Sequence, residues 1–396
     1  MTHQQEYPVI AHYHPVWLPG TMTWLHELVR GASDFSKNIV ICEENTRDEQ
    51  FSIADVYSFG DLGYMSQLAQ RVMKKVGVVE SLPYYSEVLR FQKARLLHSH
   101  FGHIAYTGSF IAAECGIPHV ASFYGMDLRQ IPLQDSAWLN KYAVMFSKTS
   151  RIFCEGEYMA GTIEKLGCMP EKITVHPLGI NLEKIPFQPK VWDSGEPLRI
   201  LIAAGFREKK GIPLALQAVA RIAQTTAVRV TIIGDASSDT ASSNEKIRIM
   251  DTIRNEGISE IVDLRGFASH EQLLEAARTH HVFLSPSFHA RDGDCEGGAP
   301  VSIIEMAAAG LIVVSSRHCD IPGVVAHERT GWLCVEKDLE DLVVQLKSAV
   351  ASRDRWPEMA RGARAHVENR FNSRLQGQKL FGHYRQIIQE GDQDRG

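Results

Sequence analysis

The stretch Leu198-Arg-Ile-Leu-Ile-Ala-Ala-Gly-Phe-Arg-Glu-Lys-Lys-Gly-Ile-Pro-Leu-Ala-Leu-Gln-Ala-Val-Ala-Arg-Ile-Ala223 decides the architecture. It opens on an apolar run too short for a helix, turns through a basic loop bounded by Gly205 and Gly211, and continues from Ile212 to Ala223 with apolar residues at helical spacing. That is a strand, a tight loop and a helix. The same unit recurs along the chain. Val9 to Tyr13, Ile39 to Cys42, Leu96 to His100, His119 to Phe123, Arg151 to Cys154 and Ile173 to His176 read as strands. Trp24 to Val29, Tyr106 to Cys115 and Glu157 to Leu166 read as helices among them. After the quoted stretch come strands at Val228 to Ile233, Ile261 to Leu264, Val282 to Leu284 and Leu311 to Ser315. Apolar strands alternating with helices predict a parallel sheet covered on both faces.

The alternation pauses once, at Pro186-Phe-Gln-Pro-Lys-Val-Trp-Asp-Ser-Gly-Glu-Pro197, whose prolines and Ser-Gly pair read as a linker. The expected organisation is therefore α/β with two Rossmann-like, doubly wound domains, residues 1–190 and 191–370. Successive helices close the chain, Glu358 to Asn369 and then Arg374 to Ile388, with residues 371–396 as a terminal helix. Ligands of such sheets sit beyond the carboxyl ends of the strands, and two sheets facing each other would place the site in the cleft.

Composition narrows the class. Of the 396 residues, 44% are hydrophobic and 22% charged, with a formal net charge of -5, which fits a globular protein and opposes nucleic-acid binding. No stretch approaches the roughly 18 apolar residues of a membrane span. Met1 to Tyr7 is polar and lacks the layout of a secretory signal, so the expectation is a cytoplasmic protein. The cysteines, Cys42, Cys115, Cys154, Cys168, Cys295, Cys319 and Cys334, form no CxxC pair and read as reduced and packed. Cys295 borders the segment richest in chemistry.

That segment runs from Phe283-Leu-Ser-Pro-Ser287 to Glu296-Gly-Gly-Ala-Pro-Val-Ser-Ile-Ile-Glu-Met-Ala-Ala-Ala-Gly310. A strand ends, a polar loop follows, and a helix begins near Pro300, a residue suited to a first helical turn. Gly297 and Gly298 let backbone approach a ligand closely, and the free N–H groups of the helix start suit a diphosphate. Glu305, inside the helix, can accept hydrogen bonds from the neighbouring hydroxyls of a ribose, and Glu296 from sugar hydroxyls. Either glutamate alone reads more readily as a solvated acid; their coincidence with the glycines and proline at a strand end argues for a site. A second basic loop, Ala203-Ala-Gly-Phe-Arg-Glu-Lys-Lys-Gly211, could neutralise a leaving diphosphate. In the first domain, Leu97-His-Ser-His-Phe-Gly-His103 ends a strand with three histidines whose irregular spacing disfavours a metal site. Asp127, in Ser122-Phe-Tyr-Gly-Met-Asp127, reads equally as an acceptor ligand or a helix cap. Gly20, in Leu18-Pro-Gly-Thr-Met-Thr-Trp24, suits a tight strand-to-helix turn. The basic stretches Arg71-Val-Met-Lys-Lys75 and Arg90-Phe-Gln-Lys-Ala-Arg95 read as solvated faces or as contacts to an anionic membrane.

The Glu296 segment resembles the Glu-x7-Glu signature of the large retaining glycosyltransferase family typified by bacterial capsule, exopolysaccharide and lipopolysaccharide enzymes. Here an extra glycine makes it Glu-x8-Glu. Ser316-Arg-His-Cys-Asp-Ile-Pro-Gly323, and Thr330-Gly-Trp-Leu333 read as a glycine turn, are similar to the family pattern as well. The resemblance implies the GT-B fold, two Rossmann-like domains facing across a cleft, with the C-terminal helix crossing back to the first domain. It implies transfer, with retention, of a sugar from a nucleoside diphosphate sugar to a hydroxyl of a glycan or lipid-linked acceptor. His100, Arg207, Lys210 and Glu296 would be catalytic. Gly20, Gly205, Gly297, Gly298, Ala299, Pro300, Val301 and Glu305 would hold the donor, and Tyr124 and Asp127 the acceptor. Arg207 would replace the family arginine whose position Gly205 occupies, and Tyr124 stands where many members carry histidine. No metal or other cofactor is expected, and an enzyme acting on lipid-linked substrate would sit peripherally on the inner face of the cell membrane. Two other classes remain. A dehydrogenase lacks support because no Gly-x-Gly-x-x-Gly follows an opening strand. A non-catalytic sugar-nucleotide-binding subunit draws on the departures at Gly205 and Tyr124.

Overall fold

The computed structural model describes residues 7–17, 22–46, 55–75 and 82–393. It divides into two compact units, Met1–Gly179 with Ser373–Gly396, and Ile180–Asn372. Each is built on one parallel sheet with helices against it.

In the first unit the strand order is Val56–Ser58, Lys37–Cys42, Val9–Tyr13, Leu96–His100, His119–Ser122, Arg151–Cys154 and Ile173–Val175. The chain starts in the middle, fills one side, then crosses to the other. The order thus reverses between Val9–Tyr13 and Leu96–His100, where adjoining strand ends open a crevice for ligands. The second sheet repeats the plan with Val262–Leu264, Val228–Ile233, Leu198–Ala203, Val282–Ser285, Ile312–Ser316 and Gly331–Cys334. Its reversal lies between Leu198–Ala203 and Val282–Ser285.

Alternate side chains of Leu198–Ala203 explain why these strands are apolar throughout. Leu198, Ile200 and Ile202 enter the core under helices Ile212–Ala223 and Leu339–Ala351, while Leu201 and Ala203 enter the one under helix Val301–Ala309. Each fully buried Leu, Ile or Val contributes roughly 1.5–3 kcal/mol. Two of the edge strands, Val56–Ser58 and Gly331–Cys334, escaped the sequence reading. Gly331–Cys334, expected as a turn, pairs with Ile312–Ser316; a Cβ at Gly331 would lie 2.5 Å from the Val313 carbonyl, so glycine serves strand packing there.

The proline-rich segment is not a free linker, which is why the division falls at Gly179 and Ile180 instead of residue 190. The Gln188 N–H donates to the Ala309 carbonyl at 3.0 Å, Lys190 Nζ to the Arg278 carbonyl at 3.0 Å, and buried Trp192 stacks on Trp356. The final helix, Ser373–Gln393, belongs to the first unit, where it packs on helix Thr23–Ala32. Glycines make that crossing close: a Cβ at Gly377 would fall 1.9 Å from the Gly31 carbonyl oxygen. The Tyr384 hydroxyl of the same helix reaches buried His98 Nδ1 at 2.6 Å.

Gly377→Ala should therefore cost about 1–3 kcal/mol by overpacking. Gly382→Ala, where a Cβ meets nothing within 4 Å, should leave stability equal or slightly higher. Thermal melts of the two variants beside the parent check the contrast.

Candidate functional site

At the reversal of the second sheet, two strand-end loops come together. Beyond Leu198–Ala203 the chain forms a single 3-10 turn, Glu208–Lys210, closed by Gly211. Gly211 has φ +64°, and a Cβ there would meet the Pro286 carbonyl at 2.2 Å, so only glycine lets this loop lie against the one after Val282–Ser285. The Phe288 N–H donates to the Lys209 carbonyl at 2.8 Å across the same seam.

The consequence is a buried charge cluster. Lys210 Nζ donates to both Glu296 carboxylate oxygens at 2.8 Å, and Ser287 Oγ donates to Oε1 at 2.7 Å. Lys209 Nζ lies 4.0 Å from Glu296 and donates to Asp294 at 3.0 Å and the Cys295 carbonyl at 2.9 Å. Burial alone would raise the Glu296 pKa, but the two ammonium groups outweigh it and hold it at about 2. Burial likewise opposes the charge of Lys209, and Glu296 with Asp294 overcomes it, leaving the pKa raised.

The extra glycine is absorbed locally. Gly297 takes φ +73° and the Gly298 N–H donates back to the Glu296 carbonyl at 2.9 Å, a tight turn that keeps Glu296 on Lys210. Ala299 and Pro300 are buried, and Pro300 caps helix Val301–Ala309, whose first N–H groups have no partner within the helix. Glu305, on that helix, receives a hydrogen bond from His270 Nε2 at 2.8 Å.

A relay fixes the Glu296 backbone. Glu336 Oε1 accepts from His318 Nδ1 at 2.9 Å, which leaves Nε2 of fully buried His318 to accept the Glu296 N–H at 3.1 Å. Glu336 Oε2 also accepts from His289 Nδ1 at 2.9 Å. Burial would raise the Glu336 pKa, yet the hydrogen bonds from the two histidines bring it well below the carboxylate range.

The structure revises several sequence expectations. Arg207 is not gathered into this cluster: its guanidinium grips Asp239, the N-cap of helix Thr240–Asn255, at 3.0 and 3.1 Å. Lys209 takes the place beside Lys210. Gly205 has open space around its Cβ position, so packing does not demand glycine there. Ser287 and His318 lay within quoted motifs without a role, and Glu336 carried no signal in the sequence.

In the first unit, His100 is fully buried, bonded to His12 at 3.1 Å and to the Tyr124 hydroxyl at 2.8 Å. Burial first, then His98 and His12, push its pKa well below the ordinary value, so it stays neutral. It is a core residue here, not one presented to a ligand, and Tyr124 spends its hydroxyl on it. His12, His98 and His100 could approach a metal, but both nitrogens of each already bond protein partners: His12 also meets Asn38, and His98 meets Tyr384 and Ser122. Asp127 is a brace. Fully buried, it accepts from the Gly102 N–H at 2.7 Å, Tyr124 N–H at 3.1 Å and Gly125 N–H at 2.9 Å, so neither oxygen is offered to an acceptor. His103 differs: partly exposed at the start of helix Gly102–Cys115, it has a buried Nδ1 without a hydrogen bond. Between them Phe101 is held at φ +74°, a strained non-glycine conformation at the strand reversal. Gly20 lies outside the described residues.

Because Glu296 is ionised far below its usual 4.5, its pairing stabilises the fold above about pH 4.5 and that stability is lost as pH falls toward about 2. Lys210→Met should raise the Glu296 pKa and move this acid limb to higher pH. It should also cost about 3–5 kcal/mol at neutral pH, less where Lys209 compensates. Urea denaturation from pH 2 to 8 measures both effects.

Residues 184–366 match the model for glycosyl transferases group 1, and residues 70–184 match glycosyltransferase family 4. A putative colanic acid biosynthesis glycosyltransferase of Escherichia coli is 28% identical over 293 residues, 73% of this chain and 70% of the relative. The amylovoran biosynthesis glycosyltransferase AmsK of Erwinia amylovora is 32% identical over 66% of this chain and 62% of its own length. Among solved structures, a sucrose-phosphate synthase from Thermosynechococcus elongatus aligns with TM-score 0.77 over 97% of this chain and all of its own, at 16% identity. Anabaena Alr3699/HepE in complex with UDP-glucose aligns with TM-score 0.73 over 94% of this chain and 98% of its own, also at 16%. At such identity these two speak for the fold alone. The chain belongs to the glycosyltransferases, carrying a family 4 domain followed by a group 1 domain, and has the GT-B fold.

Proposed function

We propose that the second unit binds a nucleoside diphosphate sugar at its strand reversal and that the enzyme transfers the sugar, with retention, to a hydroxyl of a glycan or lipid-linked acceptor in exopolysaccharide assembly. The observation that carries this reading is the buried Lys210–Glu296 cluster beside the start of helix Val301–Ala309. An ammonium group and a helix N-terminus at one strand end suit a diphosphate. Glu305, a turn into that helix, suits the ribose, and Glu296, with its carboxylate already fixed, suits sugar hydroxyls. Names of relatives support the polysaccharide context, colanic acid and amylovoran among them, and Alr3699/HepE binds UDP and UDP-glucose. A uridine donor is therefore the first to try.

As the bond from the sugar to the diphosphate breaks, negative charge grows on the leaving phosphate. Lys210 and the N–H groups near Gly298 and Val301 would stabilise it, with Arg207 joining only if it leaves Asp239. The acceptor attacks from the leaving-group side, and the departing phosphate takes its proton. Positive charge for this comes from side chains and backbone, so the scheme calls on no metal. In the first unit, His103 replaces His100 as the histidine offered to substrate.

A peripheral membrane position has its own support. Helix Tyr64–Lys75 turns polar Gln70 inward to the Tyr84 N–H and leaves Tyr64, Met65, Leu68 and Val72 exposed, with Arg71, Lys74 and Lys75 exposed on the same helix. An apolar stripe edged with cations fits an anionic bilayer surface. By contrast Arg90 and Arg95 are engaged by Glu114 and Asp392. Among the described residues no helix is long and apolar enough to cross a membrane.

Three experiments check these readings. In calorimetry against UDP-, GDP- and ADP-sugars, one donor should bind, and Glu305→Ala should weaken it about 10- to 100-fold by removing charged hydrogen bonds. Turnover, read as donor hydrolysis or transfer, should fall about 100- to 1,000-fold in Lys210→Ala shown to remain folded. Donor binding indifferent to Glu305 would contradict the assignment. Sedimentation with phosphatidylglycerol vesicles should fall in Leu68→Ser/Val72→Ser and be unchanged in Arg90→Ser; equal sedimentation of both variants would reject the helix.

A further inference from the structure

Beside Glu296 the fold gathers the adjacent His318 and Cys319 against His289 from another loop. One ligand atom each of His289, His318 and Cys319 lie within 4.8 Å of one another. Cys319 Sγ is 3.2 Å from His318 Nε2, and the two imidazole rings stand 4.6 Å apart at 79°. Tetrahedral zinc bonds nitrogen at about 2.0–2.1 Å and sulfur at about 2.3 Å, which needs ligand atoms roughly 3.3–3.8 Å apart, a small contraction from this arrangement.

The outer contacts fit such a site. Glu336 accepts from Nδ1 of His289 on one oxygen and Nδ1 of His318 on the other, each at 2.9 Å. A carboxylate behind a histidine sets the tautomer in which Nε2 carries the lone pair, and it is the common support of a metal-bound imidazole. We propose that His289, His318 and Cys319 form a three-ligand binding site for a thiophilic divalent cation, zinc with a water in its fourth position fitting best, that acts on the adjoining site as a regulator. On binding, the Cys319 thiol loses its proton to solvent and three bonds from the protein to the cation form; nothing is oxidised or reduced.

The regulatory part follows from one shared atom and rests on the donor reading above. His318 Nε2 accepts the Glu296 N–H at 3.1 Å. A cation takes that lone pair, so the Glu296 N–H loses its acceptor and the backbone that carries the carboxylate loses its anchor. Cation and donor then oppose each other.

The test uses the full chain, washed with chelator and titrated with Co2+, reading the near-ultraviolet charge-transfer absorption of a thiolate–cobalt bond. The site predicts saturation at one Co2+ per chain, bleaching by Zn2+, loss of the absorption in Cys319→Ser, and binding about 10- to 100-fold weaker in Glu336→Gln. Should the serine variant fail to fold, Cys319→Ala reads the same loss. No charge-transfer absorption in the parent, or its survival in the Cys319 variants, overturns the site. This arm needs no donor, so failed donor binding in metal-free protein counts against the earlier reading and not against this one. Zn2+ should weaken UDP-sugar binding at least tenfold in the parent and leave the serine variant unchanged; a cobalt signal with unaltered donor affinity overturns the regulation.

Discussion

A carboxylate buried at the end of a strand must be matched by positive charge or it protonates, and around Glu296 the second unit is arranged to supply that match. Lys210 and Lys209 come from the loop after Leu198–Ala203, while Glu296 and Asp294 come from the loop after Val282–Ser285. The two strands are neighbours in space but separated by Val228–Ile233 and Val262–Leu264 in the chain order. The charge pair therefore exists only once the sheet has its reversed order. Fold and site are a single constraint.

Two glycines let that constraint be met. Gly211 removes the Cβ that would strike Pro286, and Gly297 takes the left-handed conformation that accommodates one more residue before the helix. Behind them, Glu336 and His318 hold the Glu296 backbone, so the carboxylate is fixed from both its side-chain and main-chain ends. A rigid, charge-matched site of this kind needs little reorganisation when a diphosphate arrives, which is where electrostatic stabilisation has most effect. The same relay places Cys319 against His318, giving the site a second, softer chemistry.

The sequence was most legible where local pattern and burial agree. Leu198–Ala203 and Ile212–Ala223 are readable from apolar spacing because both faces of the strand and one face of the helix are buried. Glu305 and Pro300 were readable because a helix start has a local signature. The edge strands Val56–Ser58 and Gly331–Cys334 were not, the second because its opening glycine reads as a turn, although the equally short Ile173–Val175 and Val262–Leu264 at the other edges were. Arg207 and His100 are held by contacts that no local pattern shows. Each has a residue type and position suited to chemistry, yet long-range partners, Asp239 for one and His12 with Tyr124 for the other, claim the side chain. Lys209 and Glu336 show the converse, ordinary charged residues recruited by tertiary contacts that no spacing encodes.

The central claim is that the loops of Lys210 and Glu296 and the helix of Glu305 receive the nucleotide sugar. Amide hydrogen exchange with and without UDP-glucose tests it residue by residue. The account predicts slowed exchange over residues 205–211 and 296–305, with the interior of helix Leu339–Ala351 unchanged. Saturating donor that leaves both segments at their free rates, while protecting some other part of the second unit, would contradict it.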